Sequence, residues 1–189
     1  VSHQSLTGGL NGGSSAKKVF LSLTNGETGN SHGTVSAASS TTVTFKDGTG
    51  NSDDAHVNNS SGNYVMYSWA EVPGYSKFGK YTGNGNNDGI FVYTGFKVEF
   101  LLIKRTNTTE HWILADTKRN SVSGRESPAD SYLLASASNA ESTGIVYDML
   151  SNGFKFRSNS QNESGSTYIY MAFAEQPGST AYATETTAR

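Results

Sequence analysis

The sequence predicts an all-β protein made of two related antiparallel β-sandwich, jelly-roll-like modules, the first of them incomplete. Three observations carry that reading. The run Tyr64 to Val72 returns as Tyr168 to Gln176, each closed by Pro-Gly, with Tyr64 over Tyr168, Trp69 over Phe173, Glu71 over Glu175 and Pro73 over Pro177 at a constant offset of 104 (168 minus 64). The composition is rich in turn and strand formers, with 21 Gly and 10 Tyr against 3 Pro in 189 residues. Short alternating apolar runs, punctuated by Asn-Gly and Asp-Gly, recur along the chain.

Taken in order, Lys17 to Leu23 puts Val19, Leu21 and Leu23 on one face before Asn25-Gly26 and reads as a strand. Thr41 to Lys46 alternates around Val43 and Phe45 before the turn Asp47-Gly48, and Thr49 to Asn63 is a polar loop. Tyr64 to Val72 is the strand on which the first copy is organised. Phe96 to Arg105 carries Phe96, Val98, Phe100 and Leu102 on one face, while its other face changes from Lys97 and Glu99 to Leu101 and Ile103. Such a strand becomes buried on both sides and is expected in the centre of a sheet. His111 to Asp116 is a further short strand. Ser127-Pro128-Ala129-Asp130 suits one helical turn before Tyr132 to Ala135. Ile145 to Leu150, Asn152-Gly153 and Phe154 to Arg157 form the clearest hairpin signal in the chain.

A second match, Phe20 to Glu27 with Leu134 to Glu141, lies at an offset of 114 (139 minus 25), so about ten extra residues sit in the first copy. The chain then divides into a partial first module over 1–74, a whole second module over 75–178 and a polar tail over 179–189. Val1 to His3 resemble the end of a strand already in progress. The chain is therefore expected to be a piece of a longer protein, with the strands missing from the first copy lying upstream or lent by the second.

Lys and Arg number 14 against 16 Asp and Glu, with no run of like charge, which disfavours nucleic acid as a partner. The chain has no Cys, excluding disulfides, thiolate nucleophiles and cysteine metal sites. Apolar runs such as Phe100 to Ile103 fall far short of the roughly 20 residues of a membrane-crossing helix, so membrane insertion is not expected.

The run from Gly74-Tyr75-Ser76-Lys77-Phe78 through Asn84-Gly85-Asn86-Asn87-Asp88-Gly89 to Tyr93-Thr94-Gly95-Phe96, continuing to Ile103-Lys104-Arg105-Thr106, resembles a repeated domain of unknown function in virion proteins of tailed bacteriophages, marine ones especially. Leu150-Ser151-Asn152-Gly153-Phe154-Lys155 and Tyr168 to Glu175 share the resemblance, which covers essentially the whole chain. The chain departs from the family's pattern at Ile90, where Pro is usual, and at Lys97 and Val98. The resemblance implies a phage structural protein of the distal tail or a fibre, located in the virion and in contact with other virion proteins. It supplies no catalytic residues.

No His-Glu-x-x-His and no flanking carboxylate pair occurs, so no catalytic residue is assigned and an enzyme is not expected. Glu71 and Glu175, being duplicated, read as structural. Asn84 to Gly89 begins like a calcium loop, but Gly95 stands where a bidentate acid is required, so neither a metal site nor a cofactor is expected. Trp69, Phe96, Phe100, Phe154, Phe156 and Phe173 read as core. The candidate ligand-binding set is Tyr75, Tyr81, Asn84, Asn86, Asp88, Tyr93 and Trp112, in which rings beside amides and a carboxylate could stack on a sugar and bond its hydroxyls. The expected function is attachment to a host-surface glycan by a tail-fibre module. The alternative is a structural spacer of the virion without a host ligand. Fibre proteins and open strand edges both point to a homo-oligomer, with a trimer as the expected form.

Overall fold

The structure, a computed structural model, describes residues 1–12, 15–29, 35–45, 57, 62–119, 131–145 and 147–176. The expected turns at Asp47-Gly48 and Ser127 to Asp130, most of the polar loop and the tail 179–189 lie outside the described residues. Among the described residues the chain is all-β and antiparallel, without an α-helix. Ten strands are formed: β1 (Val35–Ala38), β2 (Val43–Phe45), β3 (Ser76–Thr82), β4 (Phe91–Tyr93), β5 (Phe100–Arg105), β6 (Ile113–Asp116), β7 (Leu133–Leu134), β8 (Tyr147–Leu150), β9 (Gly153–Phe156) and β10 (Thr167–Phe173).

A five-stranded sheet of order β3-β10-β5-β6-β7 faces a three-stranded sheet of order β4-β9-β8, and β1 with β2 makes a separate two-stranded ribbon. The core between the two larger sheets follows the period of two. Tyr168, Tyr170 and Ala172 of β10, Leu101 and Ile103 of β5 and Ile113 and Ala115 of β6 meet Val92, Tyr147, Met149, Phe154 and Phe156 from the smaller sheet. Tyr81 of β3 sits at the centre of the aromatic packing, stacked on Tyr168 at 4.8 Å and 9° and tilted against Phe156 at 5.7 Å.

β5 is an interior strand, as its two-sided apolar pattern requires. Its outward residues Phe100 and Leu102 join Trp112, Ile169 and Met171 on the second face of the sheet, and that face is covered by Leu6 and Val19. The segment 1–28 is tied there by backbone bonds: Glu27 N–H donates to Thr106 O (2.7 Å) and Glu110 N–H to Thr24 O (2.8 Å). Lys104, outward on β5 and fully buried, donates from Nζ to Thr24 O (2.9 Å) and Glu110 O (2.6 Å). Two carbonyls thus hold an ammonium group beneath the segment.

Three expectations are corrected. Lys17 to Leu23 is not a strand; only Lys18 pairs, in a single bridge with Thr28, and Leu21 and Leu23 are exposed. The segment is bonded to loop backbones and covers a sheet instead of entering one. Tyr64 to Val72 is not a strand either: residues 62–71 lie outside every ladder and only Val72 pairs, with Ser76. Trp69 consequently is not a core residue but 57% exposed, whereas its counterpart Phe173 packs against Tyr75, Phe78 and Phe100.

The β8–β9 hairpin forms, but its tip is Ser151-Asn152 and not the expected Asn152-Gly153, because Gly153 is already the first residue of β9, opposite Leu150. The glycine serves packing: a Cβ at Gly153 would lie 2.2 Å from Val92 O and 2.8 Å from the Phe91 ring on β4. Gly153→Ala is expected to force β4 from β9 and to lower the denaturation free energy by about 1–3 kcal/mol, measured by urea unfolding.

Burial pushes the Lys104 ammonium down to about 8 from 10.5. Between those values the unfolded chain holds a proton that the folded chain has released, so stability rises with pH across that interval. Above 10 the buried tyrosines act in the opposite direction, since burial raises Tyr81 and holds Tyr170 at about 12. The urea midpoint should therefore climb from about pH 8 to about pH 10 and then fall. Lys104→Met should remove the climb and leave the fall.

Candidate functional site

One end of the sandwich collects the C-terminal ends of β3, β5 and β9 and the starts of β6 and β10. The connection from β9 to β10, residues 157–166, crosses this end, and Gln161 and Asn162 face opposite sides of it.

Asn162, fully buried, organises the loop that follows β3. Its Oδ1 accepts Asn84 N–H (3.1 Å), its Nδ2 donates to Asn84 Oδ1 (2.6 Å) and Asn86 O (2.9 Å), and its carbonyl accepts Gly85 N–H (2.6 Å). Asn84 Oδ1 also accepts Asn86 N–H and Asn86 Oδ1 accepts Asp88 N–H, each at 3.0 Å, two successive side-chain turns. Asp88, at the exposed tip, pairs with Lys155 Nζ (2.7 Å) and Arg157 (3.5 Å), and Arg157 also pairs with Asp148. The hydrogen bond and charge of Lys155 lower the Asp88 pKa. The alternating oxygens that look like the start of a calcium loop are thus engaged, Asn84 and Asn86 with backbone amides and Asp88 with Lys155 and Arg157. No group of three His, Asp or Glu side chains that could hold a metal occurs among the described residues.

On the other side of the connection lies a cleft of about 260 Å³ between the β6 and β7 end of the sheet and residues 160–163. Glu110, His111, Gln161 and Glu163 supply its polar wall, and Ile113, Tyr132, Leu134 and Ile145 its apolar one. Three of these polar groups are positioned by neighbours. Glu110 Oε1 accepts His111 N–H (3.1 Å), His111 Nδ1 lies 3.0 Å from Ser136 Oγ, and Glu163 is fixed by Arg105 at 2.5 Å.

Gln161 is the unusual residue. It is only 7% exposed and has a φ of 57°, left-handed in a side chain that carries a Cβ. Its carbonyl accepts the Tyr81 hydroxyl (2.8 Å), while its Oε1 is buried without a donor. A strained backbone and an unsatisfied buried acceptor each cost about 1–3 kcal/mol, and both fall on one residue that lines a cleft. An amide, an imidazole and two carboxylates over an apolar wall suit a small ligand rich in hydroxyl donors.

Of the residues expected to bind, the structure gathers Asn84, Asn86 and Asp88 in one loop and scatters the rest. Tyr81 and Trp112 are corrected outright as stacking surfaces, because both rings are buried. Tyr81 is in the inter-sheet core, and Trp112 lies under the segment 1–28 with its Nε1 donating to Phe20 O (2.7 Å). Tyr75 is half-buried at the far end, edge-on to Phe173 at 5.7 Å. Tyr93 is exposed on the outer face of the smaller sheet, with Lys77 Nζ 5.9 Å from its ring centre. Glu110, His111, Gln161 and Glu163 went unmarked by sequence reasoning. For Gln161 and Glu163 the signal is the run Ser158 to Ser164, polar throughout between two strands; Glu110 and His111 carry none.

No curated protein and no solved structure shows significant similarity to the chain. A family model matches residues 1–177, and the chain accordingly belongs to the family described as a domain of unknown function, DUF7483.

Proposed function

We propose that the chain is a structural protein of a tailed-phage virion, a tail-fibre or appendage module that attaches to a carbohydrate of the host surface. The resemblance of the runs around Tyr75 to Phe96 and Tyr168 to Glu175 supports the virion setting, and other virion proteins are its neighbours there. The observation that carries the binding role is Gln161, strained and under-bonded beside a polar cleft. Such strain persists where a site needs a group held in one place. The cleft replaces Tyr81 and Trp112 as the contact surface, with Glu110, His111 and Glu163 accepting sugar hydroxyls and Tyr132 against a ring face.

A second reading, a spacer without a host ligand, is favoured by one observation: the apolar run 64–72 is exposed, which suits assembly with other chains.

Binding of the labelled chain to intact host cells, with and without stripped surface polysaccharide, separates the two. The attachment reading expects saturable binding that stripping abolishes. His111→Ala should weaken it at least about tenfold, equal to about 1.4 kcal/mol. Binding to no cell favours the spacer. Gln161→Gly should reduce binding while raising the denaturation free energy by about 1 kcal/mol, read from urea unfolding, because glycine tolerates the left-handed φ. A Gln161→Gly chain that is more stable and binds as well as the parent would remove Gln161 from the site.

A further inference from the structure

Residues 64–70 contain no charged side chain, and the segment leaves exposed Tyr64 (47%), Val65 (80%), Met66 (54%), Tyr67 (77%) and Trp69 (57%). Its sequence is that of a strand. Aligned with Tyr168 to Glu175 it matches the interior strand β10, which is flanked on both edges and apolar on both faces. Tyr67 and Trp69 already stack on one another, centroids 6.2 Å apart, as alternate residues of an extended chain do.

The near end of the segment is anchored. Val72 and Ser76 exchange backbone bonds of 3.2 and 2.9 Å, Ser76 Oγ donates to Ala70 O (2.9 Å), and Glu71 Oε1 accepts Phe78 N–H (3.2 Å). The segment does not zip further along β3, because Gln4 Nε2 donates to Phe78 O (3.0 Å) and occupies that edge. Residues 64–69 are therefore uncharged, largely apolar and diverted from the edge of β3.

We propose that residues 64–70 pair with the same segment of a second copy of this chain, antiparallel, about a two-fold axis at Tyr67. That register sets Tyr67 opposite Tyr67 and Val65 opposite Trp69 on one face, with Met66 opposite Ser68 and Tyr64 opposite Ala70 on the other. Aromatic and β-branched cross-strand pairs are favourable, and no like charges meet. An aromatic side chain carries about 150–250 Å². At these exposures each copy presents roughly 600 Å², of which edge-to-edge pairing covers the flanks, less than the roughly 1,200–2,000 Å² of a permanent interface and suited to a weak, concentration-dependent dimer. The interface is separate from the cleft beside Gln161, so the two can fail independently.

Sedimentation of the purified 189-residue chain over a concentration series is the test. A monomer–dimer equilibrium is expected, and Tyr67→Glu, which brings two carboxylates together on the axis, should abolish it. The far-UV circular dichroism should be unchanged, because residue 67 is outside the core. As the chain has no Cys, single Val65→Cys, Tyr67→Cys and Trp69→Cys variants report the register by oxidative cross-linking. Cross-linking should be strongest at position 67. A chain that stays monomeric, a dimer or trimer indifferent to Tyr67→Glu, or cross-linking no stronger at 67 than at 65 and 69 would each overturn the proposal.

Discussion

Everything in the sandwich depends on β10 being apolar on both faces. Tyr168, Tyr170 and Ala172 require one cover and Ile169 and Met171 another. The first is the three-stranded sheet and the second is the segment 1–28, so the five-stranded sheet is the middle of three layers. A two-sided strand cannot lie at an edge without exposing ladder groups as well as side chains, and β10 is paired along both edges, to β3 and to β5. The buried Lys104 belongs to the same arrangement: it is an outward position of β5 that the segment covers, and its charge is met by two carbonyls.

The loop end of the sandwich inherits its precision from that core. Tyr81, locked by four neighbouring aromatic rings, reaches out with its hydroxyl to fix the Gln161 carbonyl. Asn162 then spends its side-chain amide on the Asn84 to Asp88 loop. One connection thereby shapes both a closed, internally bonded turn and an open cleft.

Strand identity was legible in the sequence wherever local period and final environment agree. β6, the β8–β9 hairpin and β10 are found about where alternation marks them, while of the expected strand Phe96 to Arg105 only Phe100–Arg105 forms: Phe96 and Val98 enter the inter-sheet core with Leu101 and Ile103, away from the face of Phe100 and Leu102. Tyr64 to Val72 has the same pattern as β10 and is not a strand, because a ladder needs a second chain segment beside it and the pattern records only what a strand would bury. Burial of Tyr81 and Trp112 was hidden for a related reason: each alternates correctly, but which face is covered is decided by residues some 70 to 90 positions away, namely 154–170 and Phe20. The cleft was harder still. It combines Glu110, His111 and Gln161 from two distant connections, and a positive φ at a glutamine leaves no mark in composition.

The order of the chain gives the middle position of β10 a kinetic meaning. β3 and β5 are made early, yet the strand that joins them is residues 167–173, so both stand with an open edge while the 61 residues between Thr106 and Ser166 are synthesised (166 minus 106, plus one). The segment 1–28 must likewise wait for the surface it covers. Contacts this distant in sequence make folding slow and leave nascent chains with adhesive edges, so a crowded ribosome is the setting in which this protein is most exposed to misassembly.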